Sequence, residues 1–111
     1  MDNESLKPKP QIDYEITVIE AYELMQQKTD LQLWDLREPI DFGKVSVPGF
    51  TNIPLPDLSA ELGDFDSRKR TLLIDEDGTK SHQARQLLEA CGYQAWVIRG
   101  GLKDWAAVIG L

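Results

Sequence analysis

Residues 72–85 read LLIDEDGTKSHQAR, and this stretch decides the fold. An apolar run passes through three consecutive acids, Asp75, Glu76 and Asp77, and then through Gly78 into a helical pattern. A strand that turns through a tight loop into a helix is the geometry with which many α/β proteins hold an anion or present a nucleophile. The stretch therefore predicts a site, but carboxylates stand where such a loop needs a thiol or bare backbone amides.

Apolar runs and helical patterns alternate on both sides of this stretch. Because strands joined to helices by short connections pair in parallel through right-handed crossovers, we expect an α/β fold with three α/β/α layers and a small, mainly parallel central sheet. The predicted strands are 31–36, 50–53, 71–75 and 95–98, and the predicted helical segments are 18–28, 39–43, 57–62, 81–91 and a last helix that follows residues 100–101.

Local signals mark several boundaries of these elements. Thr17 and Glu20 have the spacing of a capping box at the start of the first helix. Pro39 is suited to open a helical turn, and Gly92 is placed to stop the helix that begins near residue 81.

The length of 111 residues and the ordinary globular composition, 41% hydrophobic and 28% charged, indicate one domain. Residues 1–13 are polar, contain prolines and lack periodicity, so we expect a flexible N-terminal tail followed by a domain over residues 14–111.

The formal net charge is −7 and the pI is about 4.6, and no run of basic residues is longer than Arg68-Lys69-Arg70. Nucleic acid is therefore an unexpected partner, since binding to phosphates needs concentrated positive charge. The sequence shows neither an 18-residue apolar stretch nor a basic-then-apolar leader. We expect a monomer without membrane insertion, located in the cytoplasm.

Cysteine and histidine each occur once, as Cys91 and His82. An intramolecular disulfide and a cysteine–histidine zinc site are thus excluded, and no metal site is predicted. Cys91 falls on an apolar stripe with Leu87 and Leu88, on the order of 15 Å from residue 81 by helix rise. A buried structural cysteine is the expected role.

Five motifs, in order and in register, resemble a single rhodanese (sulfurtransferase) domain over residues 15–111. The family pattern has an Asp-x-Arg-Glu segment, a Gly-His-Ile-Pro-Gly-Ala segment, a Cys-x-x-Gly-x-Arg-Ser loop, an Ala-Gly-Phe turn and a Gly-Gly-x-x-x-Trp ending. The Gly-His-Ile part of the second segment reads Val45-Ser46-Val47 in this chain. The matching segments here are residues 35–39, 47–55, 75–81, 91–93 and 100–105.

The resemblance implies a rhodanese-like fold, and in that family a loop cysteine carries sulfur as a persulfide. Three residues before Gly78, the nucleophile position holds Asp75, which cannot form a persulfide, and Lys80 replaces the loop arginine. We expect the Asp75 carboxylate to accept hydrogen bonds from the amides of its own loop, with the Lys80 ammonium as an ion partner. Glu76 and Asp77 add negative charge where an anionic donor enters.

The prediction is a catalytically inactive rhodanese-like domain, a pseudo-sulfurtransferase with no catalytic residue and no cofactor, which serves in protein binding or regulation. Its partner is an unknown protein segment or a small anion. Arg37 and His82 are possible further contacts, although Arg37 is expected mainly to pair with Asp35 and His82 to be a surface residue. The predicted ligand-binding loop comprises Asp75, Glu76, Asp77, Gly78, Thr79, Lys80 and Ser81.

Alternative functions for the same loop stay open. Amides of residues 78–81 could hold a phosphate, a nucleotide or a sulfur oxyanion, or support residual sulfurtransferase or phosphatase-like chemistry. An Asp75 nucleophile normally needs magnesium and a further acid. The spacing Asp75-x-Asp77-Gly78 is also similar to the middle of an EF-hand loop, but the sequence lacks both end ligands of such a loop, so a dedicated calcium site is not expected and weak cation binding by the three acids stays open.

Overall fold

The computed structural model describes residues 14–27 and 30–111. Within them, five strands form one sheet in the order β1-β5-β4-β2-β3, and every neighbouring pair is parallel. The strands are β1 (Glu15–Ile16), β2 (Leu31–Asp35), β3 (Thr51–Asn52), β4 (Arg70–Ile74) and β5 (Ala95–Ile98). The helices are α1 (Val18–Gln26), α2 (Pro39–Lys44), α3 (Leu58–Glu61), α4 (Thr79–Ala90) and α5 (Gly101–Val108).

The helices cover the two faces of the sheet, which confirms the predicted α/β/α layers. Alternate residues of β4 face opposite layers, as the two-residue period of a strand requires. Leu72 and Ile74 pack with Val18 of α1 and Trp105 of α5. Leu73 packs on the other side in a cluster that includes residues of α3 and α4.

Helix boundaries follow the caps predicted from the sequence where those caps are local. The Thr17 hydroxyl accepts from the Glu20 amide at 3.0 Å, and a Glu20 carboxylate oxygen accepts from the Thr17 amide at 2.8 Å, so the capping box is present. Helix α1 ends at Gln26, with Gln27 as its C-cap, and the predicted extension to residue 28 lies outside the described residues. Gly92 follows α4 with a φ of 86°, as expected for a helix stop.

Several elements differ from the sequence-based expectation. Strand β1 has two residues and was not predicted, and β3 is shortened to two residues. The predicted helix at 57–62 is a short α3 between two 3₁₀ turns, Leu55–Asp57 and Leu62–Asp64. Helix α4 begins at Thr79, two residues earlier than predicted, because Asp75 supplies acceptors for its first amides.

The predicted tail, residues 1–13, lies outside the described residues, and the domain boundary at residue 14 stays a prediction. In the part of the chain that the structure describes, none of the helices has the length and apolarity needed to cross a membrane.

Candidate functional site

The loop of residues 75–81 lies at the carboxyl edge of the parallel sheet, between the ends of β4 and the start of α4. Its neighbours at this edge are the segment after β2, which contains Arg37, and the Gly100–Gly101 pair after β5. Ligands of open α/β sheets bind at the carboxyl ends of strands. The fold therefore brings three of the sequence motifs to one edge.

The Asp75 carboxylate is the centre of this loop, and its side chain points inward. Asp75 is 1% exposed and accepts hydrogen bonds from the Gly78 amide (2.9 Å), the Lys80 amide (2.9 Å) and the Ser81 hydroxyl (2.7 Å). Charge-assisted bonds to main-chain N–H groups at a helix start stabilise an anion without a neighbouring cation. The expected inward orientation of Asp75 is thus present.

The expected ion pair between Lys80 and Asp75 is absent from the ion pairs of the described residues. Lys80 contacts Asp75 through its main-chain N–H instead. A helix start directs amides at the carboxylate, whereas the long lysine side chain is free to remain at the half-exposed surface.

Glu76 and Asp77 are exposed, in contrast to Asp75. Asp77 accepts from the Thr79 amide at 3.0 Å, and hydrogen bonds from Thr79 lower the pKa of Asp77. The two acids therefore present negative charge to solvent at the mouth of the loop.

The first turn of helix α5 donates main-chain hydrogen bonds to the loop of residues 75–81. The Leu102 amide donates to the Asp75 carbonyl at 2.8 Å, and the Lys103 amide donates to the Glu76 carbonyl at 3.1 Å. Gly101 makes this approach possible, because a Cβ there would lie 2.3 Å from the Asp75 carbonyl oxygen. The glycine pair that ends the family-like pattern thus docks α5 onto the loop.

Arg37 forms a buried ion pair with Asp35. Its Nε and Nη2 donate to the two carboxylate oxygens at 3.0 and 2.9 Å, and Nη2 also donates to the Val45 carbonyl at 2.7 Å. Burial would lower the pKa of Arg37, but Asp35 and nearby acids, Glu76 among them, outweigh burial and raise it. The expected pairing is present, and a ligand contact by Arg37 stays a prediction.

His82 is not a free surface residue, as the sequence had suggested. Its Nε2 lies 2.6 Å from a carboxylate oxygen of Glu15, and the other oxygen of Glu15 accepts from Arg99 Nε at 3.0 Å. The sequence carried no signal for this cluster, since its members are far apart along the chain. A ligand contact by His82 stays a prediction.

The expectation of a buried Cys91 is wrong, because the thiol-bearing residue is exposed. Helix α4 ends at Ala90, and Cys91 is its C-cap with φ −100° and ψ 10°. Cys91 therefore lies at the exposed end of α4, while Ala84 and Leu88 within the helix are buried.

Among residues 14–27 and 30–111, no group of three or more histidine, cysteine and carboxylate side chains is placed to hold a metal ion. The acids at the loop mouth do not converge: Asp75 points inward and Asp77 accepts from its own helix start.

Comparison with known proteins gives a consistent family signal. A family model described as a rhodanese-like domain matches residues 17–108. YqhL, an uncharacterized protein of Bacillus subtilis (strain 168), is 32% identical over 79 residues, which are 70% of this chain and 63% of YqhL.

YrkF of the same organism, whose name describes a candidate sulfur carrier protein, is 25% identical over 90 residues, which are 77% of this chain and 49% of YrkF. This chain thus spans about half of YrkF and less than two thirds of YqhL. The crystal structure of SSP1007 from Staphylococcus saprophyticus superposes with a TM-score of 0.77 at 26% identity, over 82% of this chain and 91% of SSP1007.

Proposed function

Because the chain belongs to the rhodanese-like domain family, we propose that it is a member without persulfide chemistry that binds a partner through residues 75–81. In this proposal Asp75 occupies the position of the family's nucleophilic cysteine. The protein works as a regulatory or docking module, and the cytoplasm is its proposed location.

One observation carries the proposal: the Asp75 carboxylate accepts from two loop amides and one hydroxyl while it is buried. The same donors, in a loop with a thiolate, would lower the thiol pKa and stabilise an incoming anion. Here the donors from Gly78, Lys80 and Ser81 are already used. A carboxylate cannot form a persulfide, so the loop keeps the geometry of a nucleophile site without the nucleophile.

The exposed part of the loop supports a binding role. Glu76 and Asp77 are exposed at the mouth. The Glu76 carbonyl accepts from the Lys103 amide of α5, and the Asp77 carboxylate accepts from the Thr79 amide. A rigid, negatively charged loop loses little conformational entropy on binding, and it favours a partner segment that carries positive charge.

Two alternatives are a small-anion site in the same loop and sulfur chemistry at the far end of α4. Binding of a small anion in the loop is disfavoured, since Asp75 takes the amides of Gly78 and Lys80 that an anion would need. Sulfur chemistry through another thiol is favoured by one observation, the exposure of Cys91, together with the sulfur-carrier name of YrkF.

The test compares the wild-type protein with three variants in a thiosulfate assay. We expect neither the wild type nor Cys91→Ser to form thiocyanate from thiosulfate and cyanide above a no-protein control. Asp75→Cys in the Cys91→Ser background should take the outer sulfur of thiosulfate: its thiolate attacks that sulfur, the S–S bond of thiosulfate breaks, and sulfite leaves with the electron pair. Intact mass after thiosulfate treatment measures the added sulfur atom.

Asp77→Cys in the same background is the matched control, because it places an exposed thiol in the same loop away from the three donors. Little persulfide is expected there. Wild-type turnover that is lost in Cys91→Ser would assign sulfur transfer to Cys91 and contradict the proposal. A folded Asp75→Cys variant that reacts no better than Asp77→Cys would contradict the placement of Asp75 at the nucleophile position.

Partner capture tests the binding role directly. The wild-type chain and the Glu76→Lys/Asp77→Lys variant are compared in co-purification from the native cell. The proposal expects a partner that the double variant loses and that Glu61→Lys/Asp64→Lys, with two other exposed acids reversed, retains. Equal retention by both double variants would exclude the loop mouth as the binding surface.

A further inference from the structure

A cleft of about 370 Å³ lies at the sheet edge where β1 begins, apart from residues 75–81. Its walls include Tyr14, Arg85 of α4, and Trp96 near the start of β5. The start of β5 is at the opposite end of the strand from the sheet edge that carries the Asp75 loop. A volume of this size suits a small-molecule ligand.

The lining of the cleft combines aromatic rings and the Arg85 guanidinium with the acidic residue Glu89, and Gln94 and Ala95 complete it. The rings of Tyr14 and Trp96 meet edge to face, with centroids 5.5 Å apart and planes at 65°. The Arg85 guanidinium carbon lies 4.6 Å from the centre of the Tyr14 ring, in a cation–π contact. The wall thus offers π-surfaces with a positive charge beside them.

Tyr14 is held in an unfavourable backbone conformation. Its φ is 51°, and it is the one non-glycine residue with a positive φ among those that the structure describes. Its carbonyl accepts from the Val97 amide at 2.8 Å, which fixes it to the sheet edge. Backbone strain of this kind persists where surrounding contacts hold it, and it is concentrated at binding sites.

Arg85 has a buried donor without an acceptor. Within the described chain, its Nε is the one buried side-chain nitrogen or oxygen that lacks a hydrogen-bond partner. Its Nη1 donates to Glu89 at 3.2 Å, in an exposed pair of the kind that contributes little energy. The hydrogen-bonding capacity of Nε is therefore unused, and a rotation of the Arg85 side chain would be needed to bring this donor to an acceptor in the cleft. The ion pair of Arg37 with Asp35 is an example of the expected geometry, because Nε and Nη2 of Arg37 donate to the two oxygens of one carboxylate.

We propose that this cleft binds a small planar aromatic carboxylate. The ligand's ring packs against Tyr14 and Trp96, and its carboxylate accepts from Nε–H and Nη2–H of Arg85. Glu89 competes with the ligand for the guanidinium. This site is independent of the function proposed for the Asp75 loop.

The probe is indole-3-carboxylate, titrated into the ¹⁵N-labelled full chain and followed by NMR. We expect saturable shifts at the Arg85 Nε–H and at the amides of residues 93–96, with a dissociation constant on the order of 0.1–1 mM, as suits a fragment-sized ligand. Indole-3-carboxamide, which has the same shape without the charge, should bind at least about tenfold more weakly, since hydrogen bonds to charged groups are the stronger ones.

Variants of the two α4 residues separate this proposal from non-specific binding. Arg85→Met and Arg85→Lys should each weaken binding about tenfold. Methionine removes the charge and the donors, and lysine keeps the charge but cannot donate two parallel hydrogen bonds to one carboxylate. Glu89→Gln should tighten binding about two- to threefold by removing the competitor. Arg68→Met, which breaks a different surface ion pair, that of Arg68 with Asp66, is the matched control and should bind like the wild type.

The proposal is overturned by any of three results. The first is the absence of saturable shifts at residues 93–96, and the second is equal affinity for carboxylate and carboxamide. The third is an Arg85→Lys variant that binds as tightly as the wild type. The lysine variant retains an aliphatic stem and the positive charge at position 85, so it keeps the test decisive if Arg85→Met fails to fold.

Discussion

Asp75 illustrates how one side chain can organise a loop. Its Oδ1 accepts from the Gly78 amide and the Ser81 hydroxyl, and its Oδ2 accepts from the Lys80 amide. All three partners donate, so the site suits a group that only accepts. An ionised carboxylate meets that requirement, and an amide of the same shape does not.

Asp75→Asn should therefore destabilise the fold by about 2–4 kcal/mol, because one amide N–H group would face a donor in a buried site. The free energy of unfolding in urea measures the loss. Asp77→Asn is the control: it changes an exposed carboxylate in the same loop and should alter stability by less than about 0.5 kcal/mol. A loss of similar size in both variants would contradict the assigned role of the Asp75 contacts.

The inward position of Asp75 could be predicted from the sequence, because the spacing from Asp75 to Ser81 is local. The roles of Lys80 and Cys91 could not. Lys80 can reach the Asp75 carboxylate through its main-chain amide or through its ammonium group, and the sequence does not distinguish the two. The structure has the amide contact. The exposure of Cys91 depends on α4 ending one residue before it.

At the scale of elements, α5 and the loop fit together through Gly101. Its φ is 58°, and its Cα faces the Asp75 and Glu76 backbone so closely that a side chain has no room. The amides of the next two residues then reach the loop carbonyls. The position of α5 and the shape of the loop are thus set by the same contact.

Gly101→Ala should destabilise the protein by about 2–5 kcal/mol, from left-handed backbone strain together with overpacking. Thermal or urea unfolding measures the effect. Gly43→Ala in α2 is the matched control, since nothing lies within 4 Å of its added Cβ and its φ is not positive. That variant should be neutral or stabilised by up to about 1 kcal/mol. The reverse order of stabilities would mean that Gly101 does not dock α5.

Long elements with a clear period, such as β4, α4 and β5, were predicted within two residues of their bounds. The strands β1 and β3 have two residues each, too few for a periodic pattern. Their pairing depends on the neighbours that they meet across the sheet. The 3₁₀ turns on both sides of α3 likewise follow from packing rather than from local propensity.

At the scale of the whole molecule, Glu15 connects three distant parts of the chain. It lies on β1, contacts His82 at a separation of 67 residues, and contacts Arg99 at a separation of 84. Contacts this far apart leave no trace in local sequence patterns, which explains why the cluster escaped prediction. Its effect is to fasten the edge strand β1 to α4 and to the end of β5.

The contacts of Glu15 with His82 and Arg99 should make the free energy of unfolding depend on pH in the acidic range. Burial by itself would raise the pKa of Glu15, but the hydrogen bonds and charges of His82 and Arg99 outweigh burial and lower it from 4.5. A carboxylate whose pKa is lowered by folding stabilises the protein above its unfolded pKa, and that contribution is lost as the pH falls through the folded pKa.

Glu15→Gln should accordingly cost about 0.5–1.5 kcal/mol at pH 7. The difference from the wild type should shrink as the pH falls from 5 to 3, as measured by urea unfolding at each pH. Glu61→Gln removes an exposed carboxylate from α3 and should stay within about 0.5 kcal/mol of the wild type throughout. A difference for Glu15→Gln that is the same at both ends of this range would show that its carboxylate charge is not what fastens β1.

The Asp75 carboxylate is covalently attached to the loop that binds it, so it has a high effective concentration beside the donors of Gly78, Lys80 and Ser81. A dissolved anion can displace it only at a concentration above that effective concentration. Effective concentrations for short tethers reach the millimolar range, and a pre-aligned group next to its site exceeds that. Sulfate, phosphate or thiosulfate in a cell or a buffer therefore has little thermodynamic advantage over Asp75. The conformation of this loop should be insensitive to the ionic composition around it, so Glu76 and Asp77 should keep the same positions at its mouth.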